Sequence, residues 1–214
     1  MRQKIGDRFP ESMKICNVVI PNFVDEPPKI NEGSPIGDLV NIGALEPRKN
    51  QNYLLDIAAA AKHLGTPLSL TLIGDGPDRS KLQERARSLS INDIVNFKGE
   101  IPQAAGLFGD FRACVHASRI ENLPISLIEA LSMSKPIFAA AVGGVPEIFH
   151  DGREGRYIPL NDAGRAAQCI VEWMKSPGQL ALAAQAARRR FAEHFATRKV
   201  APKLSDFLSD IAHL

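Results

Sequence analysis

The chain is poor in the features that mark special environments. Its three cysteines, Cys16, Cys114 and Cys169, are an odd number, widely spaced and without a CxxC pair. That excludes a disulfide framework and a thiolate metal site, and reads as reduced thiols in a cytoplasmic compartment. The longest apolar run, Ile137 to Val145 with Gly143 and Gly144 counted in, falls far short of the ~20 residues that span a bilayer. The first eight residues contain four charges and no apolar h-region, so they do not read as a signal peptide. Charge of one sign is scarce as well. Lys plus Arg number 26 against 24 Asp plus Glu, a net +2, which is too little to argue for nucleic-acid binding. His63, His150, His194 and His213 are scattered, and none stands at metal-ligand spacing from Cys, Asp or Glu. His116 follows an apolar run and reads as a packed strand-end histidine rather than a base. No Walker A, G-x-S-x-G or G-x-G-x-x-G stands in the right context. Neither a metal nor a cofactor is expected.

What the chain does have is an ordinary globular composition, 44% hydrophobic and 23% charged over 214 residues. At about 150 residues per domain, that is one domain with appendages or two small ones. The first 38 residues differ from the rest. An apolar stretch from Cys16 to Phe23 leads into Asp25-Glu26-Pro27-Pro28 and then Gly33-Ser34-Pro35-Ile36-Gly37, the composition of a linker. A boundary is therefore placed near residue 38. Near the other end, Arg188, Arg189, Arg190, Arg198, Lys199 and Lys203 face only Glu193. Such a run is usually a solvated helix face.

Between these flanks, short apolar runs alternate with helical patterns. Strands are expected at Leu39–Gly43, Leu68–Ile73, Ile94–Phe97, Ala113–His116 and Pro136–Ala140. Helices are expected over Asn50–Leu64, from Pro77 through Leu82, Ala86 and Leu89, and over Gln103–Phe108, Pro124–Met133, Asn161–Met174, Gln179–Phe195 and Pro202–Leu214. Repeated strand–helix alternation predicts an α/β fold, a doubly wound parallel sheet of Rossmann type covered on both faces. Ligands of such sheets bind outside the carboxyl ends of the strands, so the loops after strands are where chemistry is sought.

The most informative loop runs from Ser118 to Ala130. Glu121 lies in a strand-to-helix turn and Glu129 in the second turn of the helix that follows. Ile125, Leu127, Ile128 and Leu131 are assigned to the buried sides, leaving Ser126 and Glu129 on a shared face. The free backbone N–H groups after Pro124 suit a phosphate. Carboxylates on either side of it could accept hydroxyls of a sugar and of a ribose. The same spacing is equally what a capping Glu121 and a solvated Glu129 would give. In the loop Gly43–Asn50, Lys49 could reach a diphosphate as a point charge, and Gly43 would admit a ligand close to the backbone. An ordinary charged turn has the same sequence. Gly74-Asp75-Gly76-Pro77 reads first as a tight turn, and Gly143-Gly144-Val145-Pro146-Glu147 as a backbone-demanding turn into a helix. A signalling receiver of flavodoxin type is excluded, because Asn41-Ile42-Gly43 ends the first strand without an aspartate pair.

Taken in order, these segments resemble the retaining glycosyltransferases of family 4, which have the GT-B fold. The resemblance rests on the two glutamates, the Glu129-Ala130 helix, Ser134-Lys135-Pro136-Ile137 and the Gly143–Ile148 turn. Gly43–Asn50, Leu72–Pro77 and Val95–Gly99 fit as well. Val18–Asp25 is similar to the family's interdomain V-I-P-N-G-V-D, with Phe23 where glycine is usual. The motifs run in order along residues 18–160. The resemblance implies the single C-terminal half of a GT-B fold. Residues 1–38 would be an N-terminal segment and interdomain linker, 39–195 the donor-binding domain, and 196–214 a helix crossing back to the missing N-terminal domain.

The activity implied is transfer of a sugar, with retention, from a nucleoside-diphosphate sugar to an acceptor hydroxyl, in a setting such as polysaccharide biosynthesis. The isolated half is expected to be inactive. Glu121 and Lys49 would be catalytic. Gly43, Arg48, Lys98, Asn122, Leu123, Ile125, Ser126 and Glu129 would bind substrate, with Glu121 on the transferred sugar and Glu129 on the ribose. The implied partners are the nucleotide-sugar donor and the missing acceptor domain, with no nucleic acid and with membrane contact only through that domain. Ala44 stands where the family usually has arginine, and Arg48 leaves the backbone elsewhere. This departure keeps open a non-catalytic nucleotide-binding module, or a subunit that completes a partner enzyme.

Overall fold

The computed structural model describes residues 18–27 and 33–212. Expectations for Cys16 and the rest of the first seventeen residues, for the linker at 28–32, and for His213 and Leu214 lie outside the described residues. In chain order the elements are β1 (Gly37–Ile42), a 3-10 turn (Pro47–Lys49), α1 (Gln51–His63), β2 (Leu70–Ile73), α2 (Arg79–Ser88), β3 (Val95–Gly99), a 3-10 helix (Ala104–Asp110) and β4 (Phe111–His116). They continue with α3 (Ile125–Ser132), β5 (Ile137–Ala139), α4 (Val145–Ile148), β6 (Gly155–Tyr157), α5 (Ala163–Met174), α6 (Pro177–His194) and α7 (Thr197–Ala212).

The six strands form one parallel sheet in the order β3-β2-β1-β4-β5-β6. The chain winds outward from β1 to β3, then returns past β1 to build the other half. The reversal leaves β1 and β4 side by side, with Val40 beside Cys114, and opens a crevice above their carboxyl ends. This is the doubly wound Rossmann-like sheet that the alternating pattern predicts.

Side-chain alternation along the strands feeds two cores. Leu39, Leu70, Leu72, Ala113, Val115 and Phe138 pack beneath α1, α2 and α5. Val40, Cys114, Ile137 and Ala139 pack beneath α3 and α6. Leu39, Val40, Leu72 and Ile137 are at most 2% exposed, and full burial of such a side chain contributes about 1.5–3 kcal/mol. Phe138 also meets Trp173 edge to face, 5.8 Å between ring centroids.

Several element ends differ from the sequence reading by one or two residues, as where β1 begins at Gly37. Three differences are informative, among them a strand that the apolar runs do not signal. First, α2 starts at Arg79, two residues after Pro77. Second, α7 starts at Thr197 and carries Pro202 inside it, so the proline does not mark the helix start. Third, β6 has the sequence Gly-Arg-Tyr and lies at the sheet edge, with no strand beyond it and with Arg156 and Tyr157 only half-buried. A Cβ on Gly155 would lie 1.8 Å from the Ile137 carbonyl oxygen, which is why that strand carries glycine.

The segment before β1 is fastened to the turn between α6 and α7. Val24 donates its N–H to the Phe195 carbonyl at 3.1 Å and accepts from the Thr197 N–H at 3.1 Å. Thr197 Oγ1 donates to Asp25 at 2.7 Å. Glu26 pairs with Arg188 at 2.9 Å and with Arg198.

Candidate functional site

Two loops meet above the β1–β4 crevice, and their main chains and amide side chains hold them in register. Asn41 Nδ2 donates to the Val115 carbonyl at 2.9 Å, and Asn50 Nδ2 to the Ala117 carbonyl at 3.2 Å. Asn50 occupies the left-handed region, φ 55°, which asparagine tolerates better than most residues. That conformation ends the 3-10 turn and starts α1, aiming Lys49 across at the β4 loop.

There, Lys49 Nζ lies 2.7 Å from Glu121 Oε1. His116 Nε2 lies 3.0 Å from the same oxygen, and an Arg48 guanidinium nitrogen 3.6 Å from Oε2. Arg48 also pairs with Glu46 at 2.7 Å. The Glu121 side chain is only 6% exposed. Burial opposes its ionisation, but the hydrogen bonds from His116 and Lys49 outweigh burial and hold the carboxyl down at about 2. At neutral pH it is a carboxylate that can only accept hydrogen bonds.

Two glycines make this loop possible. A Cβ on Gly143 would lie 1.6 Å from the Glu121 carbonyl oxygen, and one on Gly144 1.8 Å from that of Asn122. The turn before α4 therefore lies directly on the Glu121–Asn122 backbone. The Gly74–Pro77 turn does the same for the other loop. A Cβ on Gly74 would come within 2.1 Å of the Gly43 carbonyl oxygen, and one on Gly76 within 2.4 Å of that of Leu45. Gly43 differs, since a Cβ there would have no neighbour within 4 Å. It borders open space.

Two cavities open on these loops, and only the first is lined by a member of the ion pair. One, of about 530 Å³, is lined by Glu121, Asn122 and Leu123, by Gly143, Gly144 and Glu147, and by residues 19–22. Asn22 Nδ2 donates to the Leu123 carbonyl at 2.7 Å, tying the segment before β1 to the loop. The other, of about 270 Å³, lies over the ends of β1 to β3, with Gly43, Ala44, Gly74, Asp75, Glu100 and Ile101 among its walls.

The structure thus brings together Arg48, Lys49 and Glu121 from the sequence-predicted set, with Asn122 and Leu123 on the same cavity as Glu121, whereas Gly43 lines the other cavity. Lys98 is exposed on β3, and the cavity wall beyond it is supplied by Glu100 and Ile101. Ile125 corrects the assignment of buried sides. It is the first residue of α3 and is 49% exposed. Ser126 behind it is half-buried. Glu129 is half-buried, its carboxylate makes no hydrogen bond or ion pair among the described residues, and burial pushes the carboxyl up. It lies near the β4 thiol of Cys114, which burial, then the Glu129 charge, pushes up.

His116, Asn22 and Glu147 are at the site without having been assigned a role from sequence. For His116 a signal existed, namely a polar residue closing the strand beside the topological reversal. Among the described residues, no group of three or more His, Cys, Asp or Glu could hold a metal ion. Nor is any described helix long and apolar enough to cross a membrane.

The family of glycosyl transferases group 1 matches residues 24–190. The chain belongs to that family. Among its curated relatives, the GDP-mannose-dependent alpha-(1-6)-phosphatidylinositol monomannoside mannosyltransferase of Mycobacterium tuberculosis is 25% identical, over 79% of this chain and 46% of the relative. The N-acetyl-alpha-D-glucosaminyl L-malate synthase of Bacillus anthracis is 25% identical, over 66% of this chain and 37% of the relative. This glycosyl transferases group 1 chain therefore spans less than half the length of these relatives. Among solved structures, the pneumococcal O-GlcNAc transferase GtfA, in complex with UDP and GlcNAc, superposes with a TM-score of 0.84 at 20% identity. It covers 100% of this chain, which corresponds to 44% of GtfA. HepE of Anabaena in complex with UDP gives 0.74 at 22% identity, over 81% of this chain and 49% of HepE. These likenesses establish the shared fold.

Proposed function

We propose that this chain is the donor-binding half of a retaining, two-domain glycosyltransferase that moves a sugar from a nucleoside-diphosphate sugar to an acceptor hydroxyl. The observation that carries the reading is the convergence of Lys49 and Glu121, 2.7 Å apart, at the reversal point of the sheet. The fold neighbours crystallised with UDP and the family membership support it. So does the coverage of less than half of each named relative.

In this reading the donor's diphosphate lies over the first turn of α3. The backbone N–H groups of Leu123, Ile125 and Ser126 and the positive end of the helix face it there. Breaking the bond from the sugar's anomeric carbon to the diphosphate oxygen leaves negative charge on the departing group. Lys49, Arg48 and those amides stabilise that charge, and preorganised groups of this type usually supply the largest catalytic contribution. Glu121 accepts from hydroxyls of the transferred sugar. Glu129, a half-buried carboxylate with no partner among the described residues, accepts from the ribose. The acceptor hydroxyl is presented by a second domain, reached through the linker within residues 1–38 and by the helix within 196–214. Residues 39–195 are the donor domain itself. A cytoplasmic setting fits the free thiols of Cys114 and Cys169.

The test is a calorimetric titration of the chain with uridine, guanosine and adenosine diphosphates, repeated on Glu129→Ala. Binding of one of them is expected, weakened on the order of tenfold by the substitution, since a charge-assisted hydrogen bond is worth about 1.5–3 kcal/mol. No transfer by the chain alone is expected, and robust transfer would overturn the half-enzyme reading. A non-catalytic nucleotide-binding module is favoured by one observation only: exposed Ala44 puts no cation into the cavity it lines.

A further inference from the structure

His116 closes β4 with its side chain 3% exposed. Its Nε2 lies 3.0 Å from Glu121 Oε1, the oxygen that Lys49 Nζ meets at 2.7 Å. The Lys49 side chain is 16% exposed, so Glu121 is held from the buried side by an imidazole and from the open side by an ammonium. Because Glu121 only accepts, Nε2 of His116 carries the proton. Nδ1, on the far side of the ring, is buried without a hydrogen-bond partner among the described residues. An aliphatic residue would fill the same volume without that orphaned nitrogen. Packing alone does not account for the ring.

We propose that His116 is a positioning residue that keeps Glu121 in place while Lys49 shifts from that carboxylate to the donor's diphosphate. The inference rests on the donor-site reading above. In the empty crevice the Lys49 charge is engaged by Glu121. An arriving diphosphate draws Lys49 toward the N-terminus of α3, and Lys49 can serve it fully only by loosening its hold on Glu121. The Glu121 side chain is only 6% exposed, and a carboxylate that loses a donor at so buried a position is costly. His116 Nε2 is the donor that remains at the same oxygen, with Arg48 3.6 Å from the other. Without the ring, Glu121 would retain Lys49, and the diphosphate would have to compete for it.

The experiment is a titration of the 214-residue chain with the same three nucleoside diphosphates, with melting temperatures measured in parallel. The variants are His116→Leu, His116→Gln and Lys49→Met, together with the His116→Leu/Lys49→Met double variant. His116→Leu is expected to melt lower than wild type, because Glu121 loses a buried charge-assisted donor, and to bind nucleotide on the order of tenfold more weakly. His116→Gln is expected to recover most of the loss, because its amide N–H reaches the Nε2 position. In the Lys49→Met background His116→Leu is expected to add less than about twofold, since no lysine remains to be released. His116→Met, also without a donor, stands in should the leucine variant not fold. An equal loss in both backgrounds, or a glutamine variant no better than leucine, would assign the ring to packing and overturn the inference. If wild type binds and His116→Leu binds equally well, this inference alone fails. If wild type binds none of the three nucleotides, the donor-site reading fails and the inference falls with it.

Discussion

Arg119 donates its backbone N–H to the carbonyl oxygen of Arg48 at 3.0 Å. One peptide hydrogen bond therefore joins the loop carrying the cations to the loop carrying Glu121, one residue before Lys49 and two before Glu121. The spacing between Lys49 and Glu121 is set by main-chain pairing as well as by attraction between the charges. That is a form of preorganisation, because the frame exists before any ligand binds.

Replacing Glu121 by glutamine is expected to cost stability that depends on pH. The carboxyl is held near about 2, below its ordinary 4.5. Its contribution is therefore complete above pH 4.5 and is lost as pH falls toward 2. Urea denaturation should show wild type ahead of Glu121→Gln by about 1.5–3 kcal/mol at pH 7. The gap should narrow steadily below pH 4.5, and a gap that does not change with pH would contradict the assignment.

Glu129→Gln is expected to have the opposite effect on stability. Burial raises the Glu129 carboxyl, so ionising it opposes folding, and wild-type stability declines as pH rises through the raised value. The glutamine variant should match wild type in mild acid and exceed it at pH 8 in thermal melts. Its nucleotide affinity should nevertheless fall on the order of tenfold in the same buffer.

Gly143→Ala tests whether the second turn supports the site. Its Cβ would lie 1.6 Å from the Glu121 carbonyl oxygen at φ +53°, so the Glu121 loop must move. A loss of at least about 1–3 kcal/mol is expected, together with weakened nucleotide binding. Gly152→Ala, also at positive φ (+79°) but with nothing within 4 Å, isolates the backbone penalty of about 1–2 kcal/mol. It should leave nucleotide binding unchanged.

Ala44→Arg should tighten nucleotide binding by up to about tenfold, the worth of one charge-assisted contact to a phosphate. Ala44 is exposed and borders the cavity beside Gly43, so the longer side chain has room. Calorimetry reads the affinity, and a transfer assay in a two-domain protein reads the turnover. If affinity rises without any gain in transfer, the binding-module reading is preferred.

The strands were legible because β1, β2 and β4 are buried on both faces and so are written as nearly continuous apolar runs. Order and handedness follow from the alternation with helices. β6 escaped because an edge strand of Gly-Arg-Tyr needs no such run. Pro202 misled as a start signal, since α7 tolerates it in its second turn. At the site, Glu121 and Lys49 could be paired from their places after strands. Helical periodicity puts Ile125 on a buried face but takes no account of its place at the very start of α3, where it is exposed. His116 was undervalued for a related reason. Its importance comes from sharing one carboxylate oxygen with a residue 67 positions earlier in the chain, a relation that only folding creates.

The main-chain bonds between Val24 and the Phe195–Thr197 turn have a mechanical consequence. The polypeptide approaches the sheet and departs from it through the same doorway, fastened by two amides and the Glu26 cation pairs. Upstream of it, Asn22 is tied to the Leu123 carbonyl and residues 19–22 wall the cavity beside Glu121, so a pull on the incoming strand of chain would be passed on to that wall.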